Sequence, residues 1–325
     1  MLKGRKVLVT GAAGFIGSNL VDKFLAQDNE VICLDNFSTG KRENIQAFLD
    51  HPKCTFIEGD IRNIEDCQKA VEGVEIVFHQ AALGSVPRSI NDPITTNAVN
   101  ISGFLNMLTA SKDANVKRFI YAASSSTYGD HPGLPKEEDK IGKPLSPYAV
   151  TKYVNELYAD VFHKTYGIDT IGLRYFNVFG RRQDPHGAYA AVIPKFVIAM
   201  LNGESPTING EGDNSRDFTY IENVTHANEQ AAITDNENAL NEVYNVAFGE
   251  RTDLKELYYL IQEYLSEFDP KVKEINPTFG PPRQGDVKHS LASIEKGKTL
   301  MSYNPKYNIK EGLKEATIWY YNYLK

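Results

Sequence analysis

The sequence VLVTGAAGFIG, residues 7–17, decides the fold class of this chain. Val7–Thr10 is an apolar run that predicts a buried strand, and an amphipathic helix is predicted from Ser18 to about Gln27. Glycines at the spacing GxxGxxG connect the two elements. The first backbone N–H groups of such a helix are free to bind a pyrophosphate, so the stretch predicts a dinucleotide-binding turn. A glycine turn that only connects strand and helix is the alternative.

An acidic residue follows the next predicted strand. Val31–Leu34 is a second apolar run, and Asp35 stands at its carboxyl end. A carboxylate there accepts hydrogen bonds from the ribose hydroxyls of an adenosine. It also repels a 2′-phosphate, so we expect NAD rather than NADP. Residues 36–41 are expected to turn at the adenosine end of the cofactor.

The alternation of strand and helix continues along the chain. Thr55–Ile57 and Ile76–His79 are predicted strands, and a helix is predicted between them from Ile64 to Val71. This rhythm predicts a parallel, doubly wound α/β sheet, which binds ligands at the carboxyl ends of its strands. The residues expected at those ends are Asp60, Ile61, Gln80, Ala81 and Ala82. Since His79 closes an apolar strand, we interpret it as a core side chain rather than a ligand.

A phenol and an ammonium stand one helical turn apart at Tyr148 and Lys152. They follow a predicted strand, Phe119–Ala123, that runs into three serines, Ser124–Ser126. Positions i and i+4 share a helix face, so Lys152 is expected to help the Tyr148 phenolate form and act as a base. A Tyr/Lys pair on a helix surface usually has no chemical role. The strand and glycine context favours a chemical role here.

Three segments around this pair are assigned from composition. Gly84–Arg88 is predicted to be a loop, and Ile94–Ala110 a long helix whose apolar positions serve the core and a subunit interface. Residues 128–147 are rich in Pro, Gly and charge, which predicts a mobile loop leading to Tyr148.

The pattern changes after the predicted strand Ile168–Leu173. From residue 181 to residue 216 no further βαβ rhythm is expected, and the chain is predicted to form a polar loop, a helix at 193–201 and a hairpin-like turn at 207–210. The apolar run 243–246 is expected to return to the main sheet. The sequence therefore predicts a dinucleotide-binding domain of residues 1–176 and 217–248, and a smaller discontinuous α/β lobe of residues 177–216 and 249–325.

Composition narrows the classes of function. The 325 residues are 42% hydrophobic and 24% charged, which is typical of a globular chain, and the net charge of -7 makes nucleic acid an unlikely partner. Three scattered cysteines, Cys33, Cys54 and Cys67, predict neither a disulfide framework nor a metal site. The sequence shows no signal peptide and no apolar run of membrane-spanning length, so we expect a cytoplasmic protein that does not bind a membrane.

Five longer motifs together resemble the extended short-chain dehydrogenases/reductases, and more narrowly the UDP-sugar 4-epimerases. They are TGAAGFIGSNL, YAVTK, LRYFNVFGRR, SRDFTYIENV and RQGDVKHS, in that family's order along essentially the whole chain. SSSTYGDHPGLP and RRQDPHGAYAAVIPKF are similar to the branch that acts on UDP-N-acetylglucosamine and UDP-N-acetylgalactosamine. The resemblance implies a Rossmann-like fold, tightly held NAD, and a homodimer formed through the helices near residues 94–110 and 146–166.

The resemblance also implies the chemistry, a reversible oxidation at C4 of the sugar. Tyr148 takes the proton of the 4-hydroxyl, Lys152 lowers the pKa of the phenol, and Ser124 binds the reacting oxygen. Hydride then returns to the other face of the 4-keto sugar after the sugar has turned. The residues implied at the cofactor are Gly11, Gly14, Phe15, Ile16, Gly17, Asp35, Asn36, Gly40, Asp60, Ile61, Gln80, Ala81, Ala82, Asn100, Tyr148, Lys152 and Tyr175.

A UDP-sugar site is implied in the same way. The resemblance gives Arg216 and Arg283 to the diphosphate, since bidentate arginines suit phosphate oxygens. It gives Asn177 to the phosphates as an amide donor, Asp286 to the ribose or sugar, and residues 192–195 and 207–209 to the uracil. The implied substrate residues are Ser85, Ser125, Ser126, Asn177, Val192, Lys195, Thr207, Asn209, Arg216, Arg283, Asp286 and Ser290.

Ser290 bears on which sugar is accepted. In the family this position lies beside the C2 substituent, where a tyrosine excludes N-acetyl groups and a small side chain admits them. We therefore expect NAD-dependent interconversion of UDP-N-acetylglucosamine and UDP-N-acetylgalactosamine, and also of UDP-glucose and UDP-galactose. A UDP-glucuronate 4-epimerase or decarboxylase is an alternative, although residues 124–128 lack the acidic residue that dehydratases and decarboxylases use. A non-catalytic NAD-sensing protein of this fold would be expected to lose the Tyr/Lys pair.

Overall fold

Strands and helices alternate along the chain, of which the computed structural model describes residues 1–187, 190–281 and 288–325. The strands are β1 (Lys6–Thr10), β2 (Glu30–Asp35), β3 (Cys54–Glu58), β4 (Ile76–His79), β5 (Arg118–Ser124), β6 (Asp169–Tyr175), β7 (Val178–Phe179), β8 (Thr207–Asn209), β9 (Ser215–Arg216), β10 (Thr219–Tyr220), β11 (Glu242–Val246), β12 (Thr252–Asp253) and β13 (Thr278–Gly280). The helices are α1 (Phe15–Ala26), α2 (Ile64–Ala70), α3 (Val86–Asn91), α4 (Pro93–Asn97), α5 (Phe104–Asp113), α6 (Pro147–Tyr166), α7 (Val192–Leu201), α8 (Ile221–Ile233), α9 (Leu254–Ser266), α10 (Glu295–Met301) and α11 (Ile309–Leu324).

Seven strands form one parallel sheet in the order β11-β6-β5-β4-β1-β2-β3. The chain winds outward in one direction from β1 to β3 and in the other from β4 to β6, so the winding reverses between β1 and β4. Such a switch point leaves a crevice at the carboxyl ends of the strands. The prediction of a doubly wound α/β sheet is confirmed, and β11 confirms that residues 243–246 return to it.

The two faces of this sheet bury separate cores. Along β1, Val7 and Val9 join the cluster that contains Phe24 of α1, whereas Leu8 joins the cluster that contains Leu108 of α5. Each strand side chain alternates between the faces, so apolar residues in succession are buried on both sides. This double burial is why the strands read as nearly continuous apolar runs in the sequence.

One prediction for the second half of the chain is wrong. Residues 181–187 and 190–216 add no strand to the seven-stranded sheet, and the predicted return of residues 243–246 completes a unit of β6, α8 and β11, in which the two strands pair in parallel. Residues 207–210 do not form a hairpin, because β8 pairs in parallel with β13, about seventy positions later. This pairing joins distant parts of the chain, and local turn residues give no signal for it.

One prediction for the segment after β4 is wrong, and another is confirmed with one difference. Residues 94–110 are helical throughout, but Ala98–Gly103 form a π-helical segment between α4 and α5. The wider turn brings Asn100 to the backbone of Leu83. The predicted loop 84–88 includes the start of α3, where the Ser85 side chain accepts a hydrogen bond from Arg88 N and Pro87 is tolerated in the first turn.

A buried carboxylate ties the C-terminal part of the chain to the sheet. Asp217 is fully buried, and its carboxylate oxygens accept hydrogen bonds from the backbone N–H groups of Phe248, Gly249 and Ala292 at about 3.2–3.3 Å. The segment that carries Ser290 is thereby held beside the carboxyl end of β11. The domain division given above remains a prediction.

Candidate active site

A cleft of about 390 Å³ lies at the carboxyl ends of the central strands, and glycines form its floor. Gly11 has a φ of +66°, and a Cβ there would lie 2.8 Å from the Ala81 nitrogen. A Cβ on Gly17 would lie 2.0 Å from the Gly11 carbonyl oxygen. Larger residues at these positions would push the first turn of α1 away from β1 and β4, so glycine is required for this close packing.

The N-terminus of α1 faces the cleft. The helix begins at Phe15, three residues earlier than predicted, and Gly14 to Gly17 line the cleft. The first N–H groups of a helix lack partners within it, and together with the helix dipole they attract an anion. The first turn contains no acidic residue that would compete for them. The turn therefore suits a pyrophosphate.

Asp35 lies at the far end of the cleft and is 8% exposed. Its Oδ2 accepts a hydrogen bond from Ala13 N at 2.9 Å, and its Oδ1 accepts one from Phe37 N at 2.7 Å. Burial raises the pKa of Asp35, and these backbone donors oppose the rise. A carboxylate has about four acceptor positions, so lone pairs remain for the hydroxyls of a ribose.

A second acidic residue borders the same end. The Asn36 side chain donates to Asp60 Oδ2 at 2.9 Å, and the Arg62 guanidinium binds the same carboxylate. The bond to Arg62 lowers the pKa of Asp60 to about 2 despite its partial burial. Asp60 is therefore ionised at neutral pH.

Tyr148, Lys152 and Ser124 meet at the other end of the cleft, as predicted. Ser146 caps the N-terminus of helix α6, because its side chain accepts a hydrogen bond from Ala149 N. Pro147 is the first residue of the helix. This start places Tyr148 in the first turn and Lys152 one turn later, beside the end of β5. Lys152 is 3% exposed, and its ammonium donates to the Ala122 carbonyl at 2.9 Å.

The serine turn is ordered by its own hydrogen bonds. Ser124 ends β5, and its Oγ accepts hydrogen bonds from Ser126 N at 3.2 Å and from the Ser126 hydroxyl at 2.9 Å. Ser124 and Tyr148 both line the cleft, so the turn brings a hydroxyl to the end of the cleft where the phenol lies.

Burial governs the protonation of the pair. It raises the pKa of Tyr148, and the neighbouring Ser124 side chain opposes the rise by a smaller amount. Burial also lowers the pKa of Lys152 to about 8, and the Glu156 carboxylate opposes that effect. The lowering of the Tyr148 pKa by Lys152, which the resemblance implies, is not the dominant effect on the phenol in this structure.

A buried ion pair lies one further turn along α6. Glu156 binds the Arg174 guanidinium through two hydrogen bonds, of 2.9 Å at Nε and 2.7 Å at Nη2, and the side chains are 7% and 4% exposed. The guanidinium also lies over the Tyr128 ring at 4.8 Å. A paired, bidentate charge of this kind is stable in the interior, whereas either partner alone would be costly.

Two buried polar residues, His79 and Asn100, lie behind the cleft. His79 is buried, its Nδ1 is 3.0 Å from Thr10 Oγ1, and burial lowers its pKa to about 3, so it is a neutral core side chain. Asn100 is also buried, donating to the Leu83 carbonyl and to Thr151 Oγ1 at 3.1 Å. It links the loop after β4 to α6 rather than lining the cleft.

A second cavity, of about 560 Å³, adjoins the cleft, and Asn177 lines both. Its walls include the predicted substrate residues Ser125, Ser126, Arg216 and Ser290. They also include Lys136 and His289, which the sequence analysis missed, because nothing in a Pro-rich charged loop marks Lys136. We call this the sugar-side cavity.

Most of the predicted cofactor residues line the cleft; the exceptions are Gly40 and Asn100. The cleft also includes Leu83, Gly84, Ala122 and Ala123, which flank predicted strand ends and could have been found by extending those strands.

Four of the predicted substrate residues line neither the cleft nor the sugar-side cavity. They are Val192 and Lys195 on α7, and Thr207 and Asn209 on β8. Ser85 caps α3 with a φ of +93° at the edge of the sugar-side cavity, and Arg283 and Asp286 lie outside the described residues.

The cleft fits NAD in its glycine floor, its helix N-terminus and its Asp35 carboxylate. The sequence profile of the NAD dependent epimerase/dehydratase family matches residues 7–247, about three-quarters of the chain. The chain belongs to this family. It is therefore an NAD-dependent enzyme.

Solved structures of other family members are similar over nearly the whole chain. The UDP-N-acetylglucosamine 4-epimerase from Methanobrevibacter ruminantium M1, in complex with UDP-N-acetylmuramic acid, is 42% identical, with a TM-score of 0.91 over 99% of this chain and 100% of that one. The UDP-glucose 4-epimerase from Thermotoga maritima, with UDP-glucose, is 36% identical, with a TM-score of 0.90 over 98% and 100%. The UDP-glucuronic acid 4-epimerase from Bacillus cereus, with UDP-glucuronic acid and NAD, is 33% identical, with a TM-score of 0.87 over 98% and 99%.

No helix within residues 1–187, 190–281 and 288–325 is both long and apolar enough to cross a membrane. No group of three or more His, Cys, Asp or Glu side chains in the same ranges is placed to hold a metal ion.

We predict that Glu156→Gln moves the alkaline limb of the pH profile to lower pH. Burial lowers the pKa of Lys152 to about 8, and the Glu156 carboxylate opposes that lowering. Without it, Lys152 loses its charge at lower pH, and kcat/KM for a UDP-sugar falls earlier than in the wild type. The variant leaves Arg174 buried without its carboxylate, so its free energy of unfolding should fall by about 3–5 kcal/mol. The pH profile is therefore measured below its unfolding temperature.

Asp160→Asn is the matched control. Asp160 lies two turns beyond Lys152 on α6, in an exposed ion pair with Lys164 at 2.6 Å. It should leave both the alkaline limb and the stability nearly unchanged. An alkaline limb that stays at the wild-type pH in Glu156→Gln would contradict the role given to this carboxylate.

Proposed function

We propose that this chain is a 4-epimerase of UDP-hexoses that interconverts UDP-N-acetylglucosamine and UDP-N-acetylgalactosamine, and also accepts UDP-glucose and UDP-galactose. The observation that carries the proposal is the position of Ser290. This small side chain lies on the wall of the sugar-side cavity, which Ser125 and Ser126 of the serine turn also line. The similarity to an N-acetylglucosamine 4-epimerase at 42% identity supports the same substrate.

Each residue of the site has a separate role in the oxidation at C4 of the sugar. Ser124 binds the reacting oxygen and Tyr148 removes its proton, since both side chains line the same end of the cleft. When bound, NAD⁺ supplies the acceptor for the C4 hydride and the means to return it to either face of the ketone. Lys152 holds a positive charge beside the phenol and favours the phenolate. The sugar-side cavity gives the 4-keto sugar room to turn before it is reduced.

Dehydratase and decarboxylase chemistry is less well supported. Both need an acidic residue at the serine turn, where this chain has Ser124–Thr127. The Thr127 hydroxyl does donate to Glu156 at 3.4 Å. That carboxylate is bound to Arg174 and buried, so it is not available for proton transfer to a sugar.

We predict that Ser290→Tyr separates the two classes of neutral substrate. The larger ring would fill the space for an N-acetyl group, so turnover of UDP-N-acetylglucosamine should fall by about tenfold or more, while turnover of UDP-glucose is kept. Purified wild-type and variant enzymes are incubated with UDP-N-acetylglucosamine, UDP-glucose and UDP-glucuronate, and C4 epimers are followed by NMR.

Ser205→Tyr is a control, because Ser205 lies outside both the cleft and the sugar-side cavity. It should leave the ratio of the two rates unchanged. Full N-acetyl activity in Ser290→Tyr would refute the role of Ser290. No epimer from any of the three sugars, with NAD⁺ supplied, would refute the proposed function.

We also propose a homodimer formed through α4 and the outer face of α6. These helices pack against each other and leave apolar side chains exposed: Ile94 is 81% exposed, and Val150, Leu157 and Val161 are 46%, 48% and 52% exposed. The three α6 residues are seven and four positions apart, so they form one stripe on the helix. An apolar stripe of this kind is typical of a subunit interface.

We predict that Leu157→Glu gives a monomer, because it places a charge in the centre of that stripe. The measurement is size-exclusion chromatography with light scattering at micromolar concentration. Ile318→Glu, on α11 and 37% exposed, is the control and should remain a dimer. A monomeric wild type, or a dimeric Leu157→Glu, would be incompatible with the proposed interface.

A further inference from the structure

Lys136 is a buried cation on the wall of the sugar-side cavity, and epimerisation at C4 does not require it. Its side chain is 7% exposed. Its backbone is fixed, since its N–H donates to the Leu291 carbonyl at 2.8 Å and its carbonyl accepts from Ser293 N at 2.9 Å. The segment that carries Lys136 is thus held against the segment that carries Ser290.

The charge of Lys136 is not balanced by a carboxylate. Its ammonium donates to the His131 carbonyl, and no Asp or Glu oxygen of the described residues lies within 4.0 Å of it. The acidic neighbours are engaged elsewhere. Glu137 pairs with Lys140 at 2.7 Å, and Glu138 accepts a hydrogen bond from Asn245 N at 2.9 Å. Burial lowers the pKa of Lys136, and no opposite charge counters it.

An ammonium buried in this way is unfavourable unless an anion joins it. A carbonyl oxygen satisfies one of its three donors, and two remain for a ligand. The bond to His131 could serve only to hold the loop, but an apolar side chain or a neutral donor would hold it at lower cost. The position of the cation on a cavity wall indicates that its partner enters with the substrate.

The position of Lys136 favours the sugar over the diphosphate. It lies between the segment that follows the serine turn, through His131, and the segment that carries Ser290. Arg216 is another cation of this cavity, and its guanidinium is held by the Ser215 and Lys288 carbonyls at 2.9 and 3.2 Å. Arg216 carries the guanidinium that suits phosphate oxygens, so the two cations need not share one anion.

We propose that Lys136 binds a carboxylate carried by the sugar, so that the site accepts acidic UDP-hexoses in addition to neutral ones. The inference rests on the proposed function, because it takes the sugar-side cavity as the sugar site. The ammonium and the carboxylate would form a charge-assisted hydrogen bond, and the burial of the Lys136 side chain strengthens it relative to the same pair in water. Lys136 then selects substrates and takes no part in the hydride or proton transfer.

The test compares ligands that differ in one acidic group. Dissociation constants by calorimetry, together with kcat and KM, are measured on the full-length enzyme with NAD⁺. The ligands are UDP-N-acetylglucosamine, its C6 uronate and its 3-O-lactyl ether. Lys136→Gln should weaken binding of at least one of the two acids by about tenfold or more, and binding of the neutral sugar by less than about twofold. Lys136→Arg should recover part of the loss.

Lys143→Gln is the matched control, because Lys143 lies exposed on the same loop and lines neither space. It should bind all three ligands as the wild type does. Equal weakening for the acids and the neutral sugar would overturn the proposal and indicate a structural or diphosphate role for Lys136, as would acids that bind to Lys136→Gln as tightly as to the wild type. The proposed function fails separately, when the wild type produces no epimer of the neutral sugar.

Discussion

The burial of the Lys152 ammonium, one helical turn from the Tyr148 phenol, is the constraint on which the site depends. A charge that is 3% exposed is tolerated only where its surroundings stabilise it. Here the Ala122 carbonyl at the end of β5 accepts its hydrogen bond, and Glu156 faces it from one turn further along α6. Arg174 of β6 holds that carboxylate in turn. Two strands and one helix thus set the protonation of Lys152.

Much of the cofactor site could be predicted from sequence, because its signals are local. The glycine turn joins one strand to the helix that follows it, and Asp35 ends the next strand. Buried parallel strands appear in the sequence as short apolar runs. The spacing of these runs predicts the sheet, and with it the carboxyl ends of the strands, where a cofactor is expected to bind. Tyr148 and Lys152 were found for the same reason, because a single helix sets their separation.

The features that could not be predicted depend on distant partners. Glu156 is indistinguishable from a surface residue until folding brings Arg174 of β6 against it. The pairing of β8 with β13 joins segments about seventy positions apart, and the π-helical turn at Asn100 is set by its bonds to the Leu83 backbone. Lys136 lies in a loop whose composition indicates only a turn. Such residues act through contacts that only the fold creates, whereas local patterns indicate where the site lies.

The most direct test of the account is a comparison of chemistry and binding in Tyr148→Phe. The variant removes one hydroxyl and keeps the ring that packs at the start of α6. Epimerisation of UDP-N-acetylglucosamine, followed by NMR, should fall by about 10²- to 10⁴-fold, because the general base is lost. The dissociation constant for the same UDP-sugar, measured by calorimetry, should change little. Substantial epimerisation by Tyr148→Phe would show that another group removes the proton and would contradict the central claim.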